Sequence, residues 1–596
     1  MSIELHNIRV SYEQSGHSLL ALDDLHLTLE QGRVTALIGE SGCGKTTLGK
    51  SIMGLLPARA RISGTIRLNG TPLPLGDETA MNRLRWSRVA MVFQNGVSTL
   101  NPAYTIARQV MEPLRVHSGL GEHEARRRAA AMLKSLDLAP ELHERYPHQL
   151  SGGQIQRALL GMAMILDPEY LILDEPTAAL DPGARALVMD LMRATRRNGK
   201  GVLLISHDLD LAAGADTAAV LYQGQIMEIL PGPELLRLPR HPYTKALLRS
   251  FPGIDTPRNL MGMRGEPLLR LLPGKEVPNA PAGGGHTGCL FRERCPQAVE
   301  ACAREAVSMQ GNGERRIRCL RGGIVPAIVL EGVSKSYDRI KALHETDLTV
   351  YNGEVLCLIG ETGSGKSTLA MIAGGSLLPD TGRRLLHGQD VHMLDRKTQN
   401  GLRADIGFIY QNPLEAVSHR LNVFQIVAEP IRIQRAALPG PGMEALVVAA
   451  LRDAGLPCEH EFLHKYPHEL NAGAVQRLCI ARALVLRPSI IIADEPTSSL
   501  DPGVQAKILK MLLELQTEKG LTLLFITHDL GVAGKIADRI AVLHKGRIIE
   551  LGPAEDIFNR PAHPYTARLL QLARAGTARS REMHTREPKP GLNNPV

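Results

Sequence analysis

Aromatic residues make up 3% of this 596-residue chain, with a single Trp, and no stretch of about 18 apolar residues runs uninterrupted anywhere in it. The first shortage leaves few rings on which bases could stack, so nucleic acid is not an expected partner. The second excludes a helix able to cross a membrane. The opening stretch, MSIELHNIRVSYEQSG, puts charges where a signal peptide needs its apolar core, so the expected location is the cytoplasm. Charge of one sign is also scarce. A net +8 on so long a chain is the surplus of an ordinary solvated surface, not of a basic docking face. What is present is a globular composition, 44% hydrophobic and 22% charged, and a length that implies several domains. The eight Cys are expected to be reduced, so any clustering among them suggests metal before disulfide.

The chain repeats itself. GESGCGKTT at residues 39–47 recurs as GETGSGKST at 360–368, LILDEPTAALDPG recurs as IIADEPTSSLDPG, LLISHDL as LFITHDL, and HPYTKALL as HPYTARLL. The offsets agree: Lys45 to Lys366 is 321, Asp174 to Asp494 is 320, His207 to His528 is 321 and His241 to His563 is 322. A register kept that long is a duplicated domain, far larger than a solenoid repeat. The expected organisation is a first domain over 1–255, a Gly/Pro-rich, Cys-containing extension over 256–323, a second domain over 324–575 and a disordered polar tail over 576–596. VTALIG, YLILDEP and GVLLISHD read as short buried strands, and TTLGKSIMGLL as a helix, which makes each domain α/β. Active groups then gather at the carboxyl ends of the strands. The segment from VFQNGV through LKSLDLAP has helical spacing and is expected to form a helical subdomain interrupting the core sheet.

Gly39-x4-Gly44-Lys45-Thr46 and Gly360-x4-Gly365-Lys366-Ser367 match the P-loop pattern. The glycines let backbone N–H groups converge on phosphate, the Lys reaches the β- and γ-phosphates, and the Thr or Ser hydroxyl ligates Mg²⁺. Ser41, Gly42 and Thr47 complete the first ATP-binding loop, and Thr362, Gly363 and Thr368 the second. A glycine turn carrying a Lys by chance would not appear twice in register between strand and helix. Asp174 and Asp494 end apolar strands and are expected to hold Mg²⁺, with the adjacent Glu175 and Glu495 as general bases for the attacking water. An acidic pair at a strand end is often a solvated turn. Here a P-loop Lys lies 129 residues upstream in one copy and 128 in the other, which favours the catalytic reading.

At these residues the chain resembles the ATPases of ABC transporters, over about 500 of its 596 residues. The resemblance implies two P-loop domains in tandem, each with a RecA-like core, a helical subdomain and an antiparallel β subdomain. LSGGQIQR looks like the family signature, which implies that Ser151, Gly152, Gly153 and Gln154 cap a γ-phosphate held by the opposite domain. Gln94 and Gln411 match the Q-loop, His207 and His528 the H-loop, and Tyr12 and Tyr337 the aromatic that stacks on adenine. A lone His or Tyr at such a position is more often structural; the flanking motifs carry these assignments. One departure stands out. The second domain has Leu470-Asn471-Ala472-Gly473-Ala474 where the first has Leu-Ser-Gly-Gly-Gln. Head-to-tail pairing of the two domains within one chain, as in the family, would cap the nucleotide on Lys366 and Glu495 with the intact signature. The nucleotide on Lys45 and Glu175 would face Asn471 and Gly473, with a methyl group at Ala472. Losing one such contact typically costs about 1–3 kcal/mol, roughly ten- to a hundred-fold in rate.

Cys289, Cys295, Cys302 and Cys319 bunch within the extension, spaced x5, x6 and x16. Soft thiolates select iron–sulfur or zinc, and without a CxxC pair the spacing leaves both open, beside free thiols. GCLFRERCPQAVEAC and the HPYT segments resemble ATPases serving oligopeptide, dipeptide and nickel importers, where the cysteines imply a [4Fe–4S] cluster. The resemblance implies a subunit on the cytoplasmic face of the inner (plasma) membrane. Its partners would be two integral-membrane permease subunits and an extracytoplasmic solute-binding protein. The solute would be a peptide, glutathione, nickel or a metal chelate. An ATPase subunit does not touch its solute, so no residue here reads that chemistry. The competing expectation is a soluble ABC ATPase, either a ribosome or DNA-repair type or part of a phosphonate-breakdown complex. The first type carries a long charged linker or a coiled coil, and this sequence has neither.

Overall fold

The computed structural model describes residues 1–14, 17–94, 99–177, 182–251, 262–266, 271–273, 288–434, 440–498 and 500–584. The chain divides into two compact units. One is built from Met1–Phe251 with Glu266–Gly323, the other chiefly from Ile324 onward.

In the first unit the strands are β1 (Ser2–Gln14), β2 (His17–Glu30), β3 (Val34–Ile38), β4 (Ala60–Leu68), β5 (Thr71–Pro72), β6 (Val89–Val92), β7 (Tyr170–Asp174), β8 (Gly201–Ile205), β9 (Thr217–Tyr222), β10 (Gln225–Pro231), β11 (Leu271–Pro273) and β12 (Arg316–Ile317). They make two sheets. The first, in the order β11-β2-β1-β4-β5, is antiparallel. Its β1 buries Ile3 and Leu5, slips register, and then buries Ile8 and Val10. Asn7, at φ 50°, sits at that slip, and a bulge there resets which face the side chains take. The second sheet has the order β12-β10-β9-β3-β8-β7-β6, with β9-β3-β8-β7-β6 parallel. All five residues of β3, β7 and β8 are buried, which fits uninterrupted apolar strands covered on both faces.

Between β6 and β7 the helices Ile106–Ser118, Glu122–Ser135 and Gly152–Met164 pack on one another as a helical layer. Their buried residues, such as Val110, Leu114, Ala129, Leu133 and Leu160, fall on helical spacing.

The second unit repeats the plan. Its strands are β13 (Pro326–Tyr337), β14 (Ile340–Tyr351), β15 (Val355–Ile359), β16 (Thr381–Leu386), β17 (Gln389–Asp390), β18 (Ile406–Ile409), β19 (Ile490–Asp494), β20 (Thr522–Thr527), β21 (Arg539–His544) and β22 (Arg547–Pro553). The sheets run β14-β13-β16-β17 and β18-β19-β20-β15-β21-β22. The helices Val423–Gln434, Gly440–Asp453 and Ala472–Leu484 form its helical layer. The two-domain α/β plan, with a RecA-like core, a helical subdomain and an antiparallel β subdomain in each, is therefore present.

The cysteine segment joins the first unit. Its β12 pairs antiparallel with β10, matching Ile317 to Glu228, and Arg318 ion-pairs with Asp24 and donates to the Val307 carbonyl. One expectation needs correction. The last helix runs Pro564–His584, so residues 576–584 are helical where the sequence suggested a disordered tail. Ala578, Arg579, Arg581, Glu582 and Met583 are good helix formers, which outweighs the low hydrophobicity. Residues 585–596 lie outside the described residues. Among the described residues no helix is long and apolar enough to cross a membrane.

Candidate functional site

Each phosphate-type loop leaves the central parallel strand and turns into a helix. Gly44, at φ 109°, caps the helix Lys45–Ile52, and Gly365, at φ 103°, caps Lys366–Gly374. A Cβ at Gly44 would come 2.5 Å from the Ala21 carbonyl oxygen, and at Gly365 2.6 Å from that of Ala342, so no side chain fits at either cap. Lys45 is buried, its Nζ donating to the carbonyls of Gly39 at 2.8 Å and Glu40 at 3.0 Å. Lys366 repeats this with Gly360 at 2.9 Å and Glu361 at 2.8 Å, and burial lowers its pKa.

The carboxylates stand at the strand ends. Thr46 Oγ1 donates to Asp174 Oδ1 at 3.1 Å, and Ser367 bonds to Asp494. Burial raises the pKa of both aspartates, and each keeps one buried oxygen, Oδ2 of Asp174 and Oδ1 of Asp494, with no hydrogen-bond partner. A buried acceptor pushed toward protonation and left unpaired is a costly arrangement that a hard divalent cation would relieve. With the adjacent hydroxyl it makes the oxygen set that Mg²⁺ takes.

Glu175 and Glu495 follow in left-handed backbone, at φ 50° and 44°. Each backbone N–H donates to the end of the neighbouring strand, to Ile205 at 2.8 Å and Ile526 at 3.0 Å. That turn aims each carboxylate at a histidine. His207 Nδ1 lies 2.6 Å from Glu175, and His528 Nδ1 3.1 Å from Glu495. Gln411 Nε2 reaches the other Glu495 oxygen at 3.1 Å. Gln94 is exposed just beyond β6. Tyr12 bonds the Thr47 hydroxyl at 3.3 Å, at the start of the P-loop helix, while Tyr337 is 45% exposed at the end of β13. Thr368 is buried in the first turn of the helix Lys366–Gly374.

The two signature segments each start a helix. Ser151 caps Gly152–Met164, accepting from Gln154 N at 3.4 Å, while Gln154 Oε1 accepts from Ser151 N at 2.9 Å. Asn471 caps Ala472–Leu484 by accepting from Ala474 N at 2.9 Å. Ala474 has no amide to reach back with, so the reciprocal half of this capping box is absent. A Cβ on Gly153 would touch nothing within 4 Å, whereas one on Gly473 would meet Val504 at 3.0 Å.

Cys289, Cys295, Cys302 and Cys319 line one cavity, together with His241, Phe291 and Gln297. Burial pushes the Cys289 thiol up to about 11 and Cys295 to about 12. Among the described residues no three His, Cys, Asp or Glu side chains close on a point as around a single metal ion. The four cysteines share the lining of that cavity. The other four cysteines, Cys43, Cys357, Cys458 and Cys479, lie outside this lining.

Sequence reasoning missed Tyr243. The HPYT repeat was visible without a role. In the structure His241 is buried, takes the Tyr243 N–H on Nδ1 at 3.0 Å and caps the helix Pro242–Arg249. The Tyr243 hydroxyl accepts the Glu40 backbone N–H at 3.0 Å. The repetition of HPYT one domain apart was the available signal.

Residues 22–178 and 343–498 match the ABC transporter family, and residues 227–302 and 549–593 match the oligopeptide/dipeptide transporter C-terminal region. The oligopeptide transport ATP-binding protein OppD of Mycobacterium tuberculosis is 35% identical, over 95% of this chain and 97% of its own length. The glutathione import ATP-binding protein GsiA of Escherichia coli strain K12 is 33% identical, over 95% and 89%. This chain thus belongs to the ABC transporter ATPases, as a tandem ATP-hydrolysing protein of the oligopeptide/dipeptide type.

Proposed function

We propose that this chain powers uptake of short peptides, ATP closing its two domains and hydrolysis resetting two membrane permease subunits fed by an extracytoplasmic binding protein. The observation that carries the solute class is the likeness over nearly the whole chain to relatives named for oligopeptides and for glutathione, itself a tripeptide. Nickel and metal chelates have no such support. The chain acts as a peripheral subunit on the cytoplasmic membrane face.

In each domain the P-loop lysine, Lys45 or Lys366, binds the β- and γ-phosphates. Mg²⁺ on Thr46 and Asp174, or on Ser367 and Asp494, neutralises phosphate charge when bound. Glu175 and Glu495 orient and deprotonate the attacking water, and the histidine beside each keeps its carboxylate aimed. Glu495 is further held by Gln411. The intact signature at Ser151–Gln154 serves the Lys366 nucleotide and the altered one at Asn471–Ala474 the Lys45 nucleotide, so the Lys366 site is the stronger hydrolytic one. The four cysteines that line one cavity suit a [4Fe–4S] cluster, because soft thiolates select iron–sulfur centres.

The test is uptake of labelled di- and oligopeptides, with labelled nickel in parallel, in cells lacking this protein. Peptide uptake is expected to fall and to return with the wild type but not with Lys366→Ala. Loss of nickel uptake alone, or of neither, would overturn the peptide reading.

A further inference from the structure

Glu40, the residue after the first P-loop glycine, is held from three directions. The Arg294 guanidinium, 6% exposed, donates to its two carboxylate oxygens at 2.7 and 2.9 Å and approaches the Tyr222 hydroxyl at 3.4 Å. Its backbone N–H donates to Tyr243, and its carbonyl receives the Lys45 ammonium. Arg294 lies in the cysteine segment, next to Cys295. Three residues earlier Phe291 is buried edge-on against Tyr222 and Tyr243, with both centroid distances 5.4 Å. The short stretch that supplies two of the four thiols therefore also grips the first P-loop. The second domain keeps only part of this grip. Glu361 retains the lysine contact and faces the Tyr565 hydroxyl, but among the described residues no arginine ion-pairs with it, and no cysteine follows Cys479.

We propose that Arg294 is a positioning residue for the P-loop of the first domain, through which the docked cysteine segment sets the nucleotide affinity of the Lys45 site alone. The physical argument is charge. Glu40 is a carboxylate only 19% exposed, within the loop expected to cradle a polyphosphate. Paired bidentately with Arg294 it is neutralised and fixed. Unpaired, it would repel the nucleotide and release the loop whose carbonyl orients Lys45.

The inference rests on the reading that Lys45 binds nucleotide, and not on any metal at the cysteines. The test is equilibrium binding of Mg-ATP to the full-length chain, with Lys366→Ala as the background that isolates the first site. Arg294→Ala is expected to raise the first-site Kd about tenfold. The second-site Kd, read in a Lys45→Ala background, is expected to stay put. Adding Glu40→Gln to Arg294→Ala should recover most of the affinity, because it removes the stranded charge. Arg315→Ala, which cuts the ion pair of the same segment with Glu234, should change neither site. An unchanged Kd in Arg294→Ala, no recovery in the double variant, or an equal loss in Arg315→Ala would overturn the proposal. A wild-type chain that bound one nucleotide and ignored Lys45→Ala would overturn the reading of the Lys45 site itself, which separates the two failures.

Discussion

His528 holds its Nδ1 3.1 Å from a carboxylate oxygen of Glu495. His207 stands in the same relation to Glu175, at 2.6 Å. Both strand-end glutamates thus face a histidine in the same way, each from a left-handed backbone position at the end of a buried strand. The inequality proposed between the two sites therefore has to come from elsewhere, and the two signature helices are one place where the domains differ.

Removing each acid in turn measures that inequality. Glu495→Gln is expected to abolish most steady-state ATP hydrolysis by the assembled transporter. Glu175→Gln is expected to leave substantially more, the gap being about ten- to a hundred-fold if one signature contact is lost. Equal losses would show that the substituted signature does no harm.

The buried aspartates make a prediction about stability. Burial raises the pKa of Asp174 and Asp494 in the folded protein. A folded carboxyl that holds its proton more tightly than the unfolded one favours folding at acid pH. That contribution is lost as pH rises through the raised pKa. At neutral pH each ionised, half-paired carboxylate is a net burden. Asp494→Asn should therefore raise the thermal midpoint of the nucleotide-free protein at neutral pH, by the equivalent of about 1–3 kcal/mol for one unsatisfied buried oxygen. The advantage should shrink below the ordinary carboxylate range, and Mg-ATP should stabilise the wild type but not the variant. Thermal melts at acid and neutral pH, with and without Mg-ATP, check this. A lower midpoint for the variant at neutral pH would contradict it.

The cysteine-lined cavity is tested by its contents. Protein purified without oxygen should carry iron and acid-labile sulfide in equal amounts, with visible absorbance that an iron chelator bleaches. Cys302→Ser should lose all three together. Zinc without sulfide, or a metal-free cavity in protein prepared without oxygen, would exclude the cluster.

What the sequence disclosed and what it hid divide by distance along the chain. The P-loops were legible because Gly44 and Gly365 need left-handed backbone that carries no Cβ, and the strand-end acids because apolar runs stop at them. The helical layer was legible from spacing alone. Arg294 was not, since its partner Glu40 lies 254 positions away and neither residue belongs to a periodic pattern. Tyr243, too, gains its role only when β9 and the helix it starts bring its hydroxyl to the Glu40 backbone. Residues 576–584 depart from the expected disorder because low hydrophobicity does not prevent a helix where Ala578, Arg579 and Arg581 sustain it to His584.

The altered signature can be repaired, and this tests its role most directly. In the first domain Ser151 and Gln154 cap the helix reciprocally, and the helix opens on two glycines, Gly152 and Gly153. In the second, Asn471 retains one half of that cap, Ala472 adds a methyl group at the first helical position, and Ala474 supplies no amide. Ala472→Gly removes the methyl group at a helix-propensity penalty of up to about 1 kcal/mol, and Ala474→Gln returns the reciprocal cap, worth about the same. The double variant should then be nearly neutral for folding while restoring a glycine-lined helix start. Its overall ATPase is expected to rise, and the ratio of residual activities in Glu175→Gln and Glu495→Gln should move toward one. If the ratio stays where it was, with the fold intact by thermal melt, the signature is not the source of the inequality. The next suspect is then the first P-loop itself, gripped by Arg294 where the second is not.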